Sequence, residues 1–274
     1  MTLNTQQILE MALNMAELED TPADSGIIVP SDGVKRVMFG VDIDTADLLL
    51  AQQLKVDLVI GHHPVTDCPR ANSYKVMERQ IEMMTQVGIP VNKAWNLLRP
   101  RMEMVDRRLH SLNYAKTGQA ARLLGMPLMN LHLPLDIISE NTVQAHLDNC
   151  LKPTSRVSDV MAALNELPEY EEPAGPRVRC GRPDDYAGKV AVRMAGGTTK
   201  GGGEVMRAYF EAGVGTLILM HIPEDTLMAA REHGIGSIII AGHMRSDSVG
   251  INAFIRALEG EGLEVIRMGG VIDA

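Results

Sequence analysis

Short apolar runs alternate with segments of helical spacing along much of the chain. From residue 35 onward, KRVMFGVDI is typical of a strand, ADLLLAQQLK of a helix and VDLVIG of a second strand. After residue 188 the alternation returns, with strands in KVAVRMAGG, VGTLILM, GSIIIAGH and LEVIRMG separated by helical segments. Unbroken apolar strands between helices are typical of parallel sheets that are covered on both faces. The pattern predicts an α/β protein with two similar lobes, each built on a mostly parallel sheet.

The middle of the chain is less regular. SYKVMERQIEMMTQVG is predicted to be helical, IPVNKA a strand, and residues 103–124 a single helix. Further on, LPEYEEPAGPRVRCGRPDDYAG carries four prolines among glycines and charges, which indicates a connection rather than a packed element. We therefore predict a first α/β lobe over residues 1–125, an insert and connection over 126–187, and a second α/β lobe over 188–274.

The cysteines and the first segment of the chain favour a cytoplasmic location. Cys68, Cys150 and Cys180 are an odd number, widely spaced and without a Cys-x-x-Cys pair, which fits a reducing compartment and argues against a thiolate zinc site. Residues 1–20 contain no basic leader and no unbroken apolar stretch, so no signal peptide is expected. No apolar run approaches the ~20 residues of a membrane helix, so we expect a soluble protein without a membrane partner.

The overall charge limits the classes of partner. The formal net charge is -9, which argues against non-specific nucleic-acid binding, because such binding needs a basic face. A local basic cluster is formed by Arg99, Arg101, Arg107 and Arg108. It is consistent either with a solvated surface or with a small anionic substrate.

Residues 59–67, VIGHHPVTD, place two adjacent histidines where an apolar strand ends. A buried core has little use for two neighbouring imidazoles, because each brings polar atoms that need partners. Ligands of open α/β sheets bind beyond the carboxyl ends of the strands, which is where His62 and His63 are expected. The second half echoes this arrangement in GSIIIAGHM, an apolar strand that ends in a glycine and His243.

Carboxylates stand four residues from histidines at two places. His243 and Asp247 have this spacing just before a helix that is predicted to start near Ser248. Asp106 and His110 have the same spacing within the helix predicted over residues 103–124. On a helix, this spacing puts both side chains on one face. Imidazole and carboxylate without thiolate suit Zn²⁺, Mn²⁺, Fe²⁺ or Co²⁺, and one carboxylate can bridge two ions. These residues therefore predict a divalent transition-metal site.

Each of these features also has a structural interpretation. A histidine at a strand end can be a hydrogen-bonded loop residue, Asp106 and His110 can be a surface pair, and Asp247 can be a helix N-cap. The glycine-rich AGGTTKGGG, residues 195–203, is consistent with close backbone packing or with an anion pocket, but it lacks the order of a nucleotide P-loop. Spacing alone leaves these interpretations open.

Three segments resemble the signature regions of the Nif-three-like family, whose members are labelled GTP cyclohydrolase I type 2 homologues. They are VDLVIGHHPV, KVAVRMAGGTTKGGGEVMRAYFEAGVGTLI and IIIAGHMRSD, in the order of the family. The resemblance covers about 35–125 and 188–274, with a variable insert between. It implies an α/β fold of two similar lobes, a dinuclear metal site between them, and assembly into a ring-like hexamer.

The resemblance also implies a set of metal ligands. The histidine pair of the family falls on His62 and His63, and its C-terminal histidine falls on His243. The glutamate that follows in the family falls on Asp247, whose side chain is one methylene shorter. In this role Asp247 would bridge the two ions.

The aspartate of the family has no direct match. It usually follows an Asn-Leu pair, and here Asn96 and Leu97 are followed by leucine and arginine. Asp106 is the best remaining match, because Asn113 lies seven residues beyond it, as in the family. His110 is then an additional candidate ligand.

The resemblance thus implies two divalent transition-metal ions per chain, held by His62, His63, Asp106, His243 and Asp247. As an enzyme, the protein would activate water on a metal to hydrolyse an amide, amidine or phosphoester-like bond. The family label implies opening of the guanine ring of GTP, but no base-recognition motif in the sequence supports that substrate. The alternatives are metal storage or delivery, a metal-dependent regulatory binding protein without turnover, and a purely structural interaction protein.

Overall fold

A computed structural model describes residues 2–171, 174–200 and 202–274. The strands in these ranges are β1 (Gly26–Val29), β2 (Arg36–Gly40), β3 (Leu58–Gly61), β4 (Leu128–Asn130), β5 (Arg177–Cys180), β6 (Lys189–Val192), β7 (Val214–Leu219), β8 (Ser237–Ile240) and β9 (Glu264–Met268). The α-helices are α1 (Thr5–Met15), α2 (Thr45–Gln53), α3 (Asp67–Asn72), α4 (Arg79–Gln86), α5 (Val91–His110), α6 (Lys116–Leu124), α7 (Leu133–Cys150), α8 (Val157–Leu164), α9 (Gly203–Glu211), α10 (Glu224–His233) and α11 (His243–Gly260). Short 3-10 helices occur at Ser73–Glu78, Pro168–Tyr170 and Ala195–Lys200.

The chain forms two compact units that are interleaved along the sequence. The first unit comprises residues 1–76, 105–138 and 250–273, and the second comprises residues 77–104 and 139–249 together with residue 274. The lobes predicted from the sequence follow one another along the chain instead. Residues 172 and 173 of the predicted connection, and residue 201 of the glycine-rich segment, lie outside the described residues.

The first unit is built on a five-stranded sheet in the order β1–β4–β3–β2–β9. β2 is parallel to β3 and β9, and β3 is parallel to β4, while β1 is an antiparallel edge strand. Helices α2 and α6 pack on this sheet through a buried cluster that includes Met38, Leu48, Val59, Ala121 and Leu128. Burial of each large aliphatic side chain stabilises the fold by about 1.5–3 kcal/mol.

The second unit is built on a four-stranded sheet in the order β5–β8–β7–β6. β6, β7 and β8 are parallel neighbours, and β5 is an antiparallel edge strand. Helices α7 and α8 contribute to its core, a buried cluster that includes Val143, Leu147, Val160, Leu164, Val192, Ile218 and Ile239. The two mostly parallel sheets confirm the predicted α/β class.

The last strand of the chain lies in a different sheet from the one predicted. The sequence analysis assigns LEVIRMG to the second lobe, but β9 pairs with β2 in the first unit. The segment was correctly predicted to be a strand. Strand propensity identifies a pleated segment but not its neighbour, because pairing is decided by tertiary packing.

The region around residue 90 was also predicted wrongly. IPVNKA is not a strand, since α5 begins at Val91 directly after Pro90, and the carbonyl of Pro90 accepts a hydrogen bond from Ala94 N at 2.9 Å. A proline has a φ angle suited to the first turn of a helix. Val91 is 62% exposed and therefore does not belong to a core strand.

Two further predictions need correction. The single helix predicted over 103–124 is divided, because α5 ends at His110 and the Asn113 side chain accepts a hydrogen bond from Ala115 N at 3.1 Å before α6 begins. Such an asparagine turn competes with helical hydrogen bonding. The predicted insert over 126–187 is also more regular than expected, since it contains β4, α7 and β5 in addition to α8, which matches a helix expected around residues 156–165.

The helices were compared with the requirements for crossing a membrane. In the part of the chain that the structure describes, no helix is both long enough and apolar enough to span one. The apolar segments belong instead to the two cores described above.

Candidate metal centre

Three parallel strands of the first sheet are followed by polar residues at their carboxyl ends. Asp42 follows β2, His62 and His63 follow β3, and His132 follows β4. Strand pairing continues into this region, because His62 N donates a hydrogen bond to Gly40 O at 2.9 Å. The histidine pair therefore lies where ligands of α/β sheets are usually bound, as predicted.

The three histidines of the first unit form a cluster. The ring centroids are 5.2 Å apart for His62 and His63, 4.9 Å for His62 and His132, and 5.7 Å for His63 and His132. One ring nitrogen of each histidine lies within 4.8 Å of those of the other two. Ligand atoms around one zinc ion are about 3–4 Å apart, so modest side-chain movements would bring these nitrogens to one ion.

The Nδ1 atom of each ring faces an oxygen acceptor. The partners are Leu131 O at 3.0 Å for His62, Asp42 Oδ1 at 2.9 Å for His63, and Asp24 Oδ2 at 2.5 Å for His132. A carbonyl oxygen has no hydrogen to donate, so the hydrogen in the His62 contact belongs to the ring. An acceptor on one ring nitrogen is typical of histidines that bind metal through the other, because it fixes both the tautomer and the ring orientation.

Two buried carboxylates make the environment of this cluster negative. Asp24 is 0% exposed and Asp136 is 3% exposed, and Asp136 Oδ2 lies 3.7 Å from His132 Nε2. Burial by itself lowers the pKa of His132, but the charges of Asp136 and Asp24 outweigh it, so that the pKa is raised above its ordinary value. The surroundings of His132 therefore favour a positive charge, whether a proton or a metal ion carries it.

The contact between His62 and Asp136 also favours a positive charge. His62 Nε2 lies 3.3 Å from Asp136 Oδ1, and both side chains are buried. With the ring hydrogen on Nδ1, both facing atoms carry lone pairs, so a proton or a cation is needed to make the contact favourable. Nitrogen and oxygen ligands of a tetrahedral zinc ion are also about 3.3 Å apart. The residues of this unit therefore fit a divalent metal ion.

Asn130 fixes the backbone of the histidine pair. Its amide donates hydrogen bonds to Gly61 O at 3.0 Å and to His63 O at 2.8 Å. A Cβ atom at position 61 would lie 2.9 Å from Asn130 Nδ2, so the glycine leaves room for this amide. The buried asparagine thus holds the carbonyl groups of the two residues that flank His62.

Polar residues follow strand ends in the second unit as well. His221 follows β7, and His243 follows β8 as the first residue of α11, with their ring centroids 4.8 Å apart. His243 Nε2 lies 3.5 Å from Asp247 Oδ2. The Asp247 side chain is buried, whereas that of His243 is 39% exposed. This unit therefore places His243 next to a second imidazole and next to a buried carboxylate.

Asp247 lies within a helix rather than at its cap. Because α11 begins at His243, Asp247 is in its second turn, on the same face as the histidine. The alternative in which Asp247 caps a helix that starts near Ser248 is therefore wrong. Gly242, with a φ of +99°, permits the sharp change of direction that lets the helix begin earlier.

Asp106 and His110 both lie on α5, at the predicted helical spacing. Asp106 is half-buried and His110 is exposed. Within the described ranges, neither residue is part of a group of three ligand atoms close enough to surround an ion. The structure does not bring Asp106 into the histidine cluster of the first unit, and its role as a ligand stays a prediction.

Sequence reasoning missed His132, Asp136 and Asp24, and also Asp42 and His221, which contact predicted ligands. His132 and Asp136 fall in the region that was predicted to be an insert, although His132 follows the apolar run PLMNL and Asp136 stands four residues beyond it. This is the spacing that drew attention to His243 and Asp247, so the signal was present. Asp24 had no such signal, because it meets His132 only in the folded chain, 108 residues away.

Comparison with known proteins was made with both the sequence and the structure. The family model described as Duf34/NIF3 (NGG1p interacting factor 3) matches residues 3–92. The crystal structure of a NIF3 superfamily protein from Sphaerobacter thermophilus is 40% identical in sequence, with a TM-score of 0.91 over 98% of this chain and 100% of that chain. The chain belongs to the NIF3 superfamily. The Nif-three-like resemblance of the sequence is thereby confirmed.

More distant structures share the fold of this NIF3 superfamily member. Reduced HcgD from Methanocaldococcus jannaschii is 16% identical, with a TM-score of 0.61 over 97% of this chain and 99% of that chain. TTHA1606 from Thermus thermophilus is 16% identical, with a TM-score of 0.58 over 99% of both chains. At this identity the likeness concerns the fold alone. No curated protein matched the chain.

Proposed function

We propose that the protein binds two divalent transition-metal ions per chain through histidines and aspartates at the carboxyl ends of its strands. The observation that carries this proposal is the 3.3 Å contact between His62 Nε2 and Asp136 Oδ1, two buried atoms that each offer a lone pair. A metal ion between these two atoms would be bound by both of them. The hydrogen bonds at Nδ1 of the three clustered rings support the same function, because they direct the other nitrogen of each ring towards a ligand.

The proposed ligands are imidazoles and carboxylates of each unit. They are His62, His63, His132 and Asp136 in the first unit and His243 and Asp247 in the second. This donor set suits Zn²⁺, Mn²⁺, Fe²⁺ or Co²⁺. It adds His132 and Asp136 to the ligands expected from the sequence. Asp106 stays a predicted ligand from the family resemblance.

Metal binding can be tested by calorimetric titration of chelator-treated protein with Zn²⁺ and with Mn²⁺. Saturable binding of ions with a dissociation constant in the micromolar range or below is expected. His62→Ala should abolish the binding by the histidine cluster, whereas His110→Ala is the matched control, because His110 is exposed and lies outside that cluster. Absence of binding by the wild-type protein would refute the proposal.

We further propose that the metal-loaded protein is a hydrolase of a small, anionic molecule. Bound divalent ions supply Lewis acidity, which stabilises the negative charge that develops during hydrolysis. The side chains of the protein orient this centre, since Asp42 and Asp24 hold the rings of His63 and His132. The His63 and His132 side chains are 19% and 20% exposed, so a small molecule can reach the cluster from solvent.

Turnover distinguishes this hydrolase from a protein that stores, delivers or senses metal. The reconstituted protein should hydrolyse members of a panel of phosphoesters, amides and amidines, with GTP included, with saturation kinetics. Asp136→Asn should abolish turnover while the far-UV circular dichroism stays native. Exchangeable metal without saturable hydrolysis of any panel member would contradict the hydrolase and favour storage, delivery or regulation.

We also propose a cytoplasmic homo-oligomer, with a ring-like hexamer as the expected form. The widely spaced cysteines Cys68, Cys150 and Cys180, none of which forms a disulfide, support a reducing compartment. The hexamer rests on the family resemblance. Light scattering at micromolar concentration should give a mass near six chains, and a stable monomer of 29.9 kDa would contradict it.

A further inference from the structure

A second group of ligand atoms lies in the second unit, apart from the residues assigned above. His146 and Cys150 stand four residues apart on α7, and Glu166 lies just beyond the end of α8. One ligand atom from each of these residues lies within 4.8 Å of the other two. We propose that His146, Cys150 and Glu166 bind a zinc ion, or another divalent cation with affinity for thiolate, as a separate site.

The distances between the three ligand atoms support this site. His146 Nε2 is 3.8 Å from Cys150 Sγ and 3.5 Å from Glu166 Oε2, and Cys150 Sγ is 3.8 Å from Glu166 Oε2. Around a tetrahedral zinc ion, the corresponding separations are about 3.6 Å for nitrogen and sulfur, about 3.3 Å for nitrogen and oxygen, and about 3.5 Å for sulfur and oxygen. The three atoms therefore already form a triangle close to one face of a zinc tetrahedron. The fourth position would be left for water.

The side chains are free to make the small movement that remains. The Glu166 side chain is 63% exposed and that of His146 is 24% exposed, so neither is held by a packed core. Zinc would replace the contact of His146 Nε2 with Ala163 O at 2.8 Å. That carbonyl also accepts a hydrogen bond from Glu166 N at 3.2 Å, so it keeps a donor when the imidazole binds metal.

The surroundings of Cys150 favour the protonated thiol when no ion is bound. Desolvation and the neighbouring Glu166 carboxylate raise the pKa of the Cys150 thiol, which is positioned to donate a hydrogen bond to Glu166 Oε2. Binding of the cation converts the thiol to a thiolate and releases its proton to solvent. The mixed imidazole, thiolate and carboxylate set would then link the end of α7 to the end of α8.

The sequence gives little indication of this site. Zinc sites with cysteine are usually recognised by a Cys-x-x-Cys pair, which the chain lacks. Here the histidine and the cysteine are one helical turn apart, and the third ligand comes from a separate segment. Only the folded structure brings Glu166 to the other two residues.

Cobalt substitution tests this site independently of the proposed function. The metal centre proposed above contains no cysteine, so a thiolate-to-Co²⁺ charge-transfer absorption reports on a cysteine-containing site and not on that centre. Chelator-treated, fully reduced protein should develop this near-ultraviolet band on addition of Co²⁺ and lose it on addition of Zn²⁺. Cys150→Ser should abolish the band, and Glu166→Gln should weaken the binding that produces it by at least about tenfold.

Cys68→Ser is the matched control, because Cys68 is also an exposed cysteine but belongs to no ligand group among the described residues. It should leave the cobalt band unchanged. Circular dichroism of each variant establishes that the fold is retained. Absence of a thiolate band in the wild-type protein at saturating Co²⁺, or a band that survives in Cys150→Ser, would overturn the proposal.

Discussion

The two sheets share one strand order but carry different side chains at corresponding strand ends. β1, β2, β3 and β4 correspond to β5, β6, β7 and β8, since both sheets begin with an antiparallel edge strand followed by the fourth, third and second strands of the set. The third strand is followed by His62 and His63 in the first unit and by His221 in the second. Histidine therefore follows the corresponding strand in both sheets, but the first unit has two histidines at this position and the second has one.

A histidine and an aspartate recur after the fourth strand. His132 and Asp136 follow β4, and His243 and Asp247 follow β8, with each aspartate four positions after its histidine. Both pairs occur where a strand gives way to a long helix. VIGHHP and IIAGHM are alike in sequence because both contain Gly-His, but these segments end β3 and β8, which do not correspond. Matching by strand order instead of by motif identifies His132 and Asp136.

The surroundings of the two pairs differ in charge and burial. The His132 side chain is 20% exposed and contacts both Asp24 and Asp136, whereas that of His243 is 39% exposed. A ligand that is held by buried carboxylates loses less freedom when it binds an ion. We therefore expect the first unit to hold metal more firmly than the second.

The largest expected effect is that of removing charge from the two corresponding aspartates. Asp136→Asn should weaken metal binding at least about tenfold, because it removes a buried charge without changing the size of the side chain. Asp247→Asn should leave at most one ion per chain, and Asp247→Glu should be tolerated. Elemental analysis and titration of each variant check this, with Asp20→Asn as an exposed control. If both asparagine variants bind two ions per chain with unchanged affinity, Asp136 and Asp247 are not metal ligands.

The corresponding histidines should differ in the size of their contributions. His132→Ala is expected to weaken metal binding by a larger factor than His243→Ala, since His132 is oriented by Asp24 and is less exposed. The ratio of dissociation constants for the two variants, measured under one set of conditions, checks the order. Equal losses would show that the extra carboxylate of the first unit has no effect on binding.

Gly61 tests the support of the histidine pair. Gly61→Ala should lower the free energy of unfolding by about 1–3 kcal/mol, because its Cβ would lie 2.9 Å from Asn130 Nδ2 and displace that amide. Gly260→Ala is the control, since a Cβ there meets no atom within 4 Å, and stability should be unchanged or raised by up to about 1 kcal/mol. Equal stability of both variants in urea denaturation would contradict this role of Asn130.

The smallest expected effect is a pH dependence of the metal-free protein. Because the folded protein raises the pKa of His132 above 6.5, protonation of this ring stabilises the fold fully below 6.5, and the stabilisation is lost as the pH rises through the raised value. Asp136→Asn should reduce this loss. The free energy of unfolding of wild type and variant, measured by urea denaturation as the pH is raised from below 6.5, checks this prediction. Identical pH profiles would contradict the role of Asp136 in raising the pKa of His132.

The fold class could be predicted because apolar strands and amphipathic helices alternate in both halves of the sequence. The position of β9 could not, since its neighbour β2 is more than two hundred residues away and pairing depends on tertiary packing. Val91 shows the same limit locally. A β-branched residue after Ile89 and Pro90 suggests a strand, but the proline favours a helix start and the valine is exposed in a helix.

The sequence predicted those site residues that are neighbours in the chain or are separated by one helical turn. His62 and His63 are neighbours at a strand end, and His243 and Asp247 share a helix face, so both pairs could be found. Asp24 could not be found, because no local pattern links it to His132. The family resemblance pointed to Asp106, which lies on the expected helix but outside the histidine cluster.

The most direct test of metal binding by the histidine pair is the elemental analysis of reconstituted Cys150→Ser protein, in which the additional thiolate site is removed. Two divalent transition-metal ions per chain are expected. The same protein with His62→Ala and His63→Ala added should lose its bound metal while its far-UV circular dichroism stays native. Full metal occupancy in the histidine double variant, or no metal before the histidines are replaced, would contradict the proposed centre.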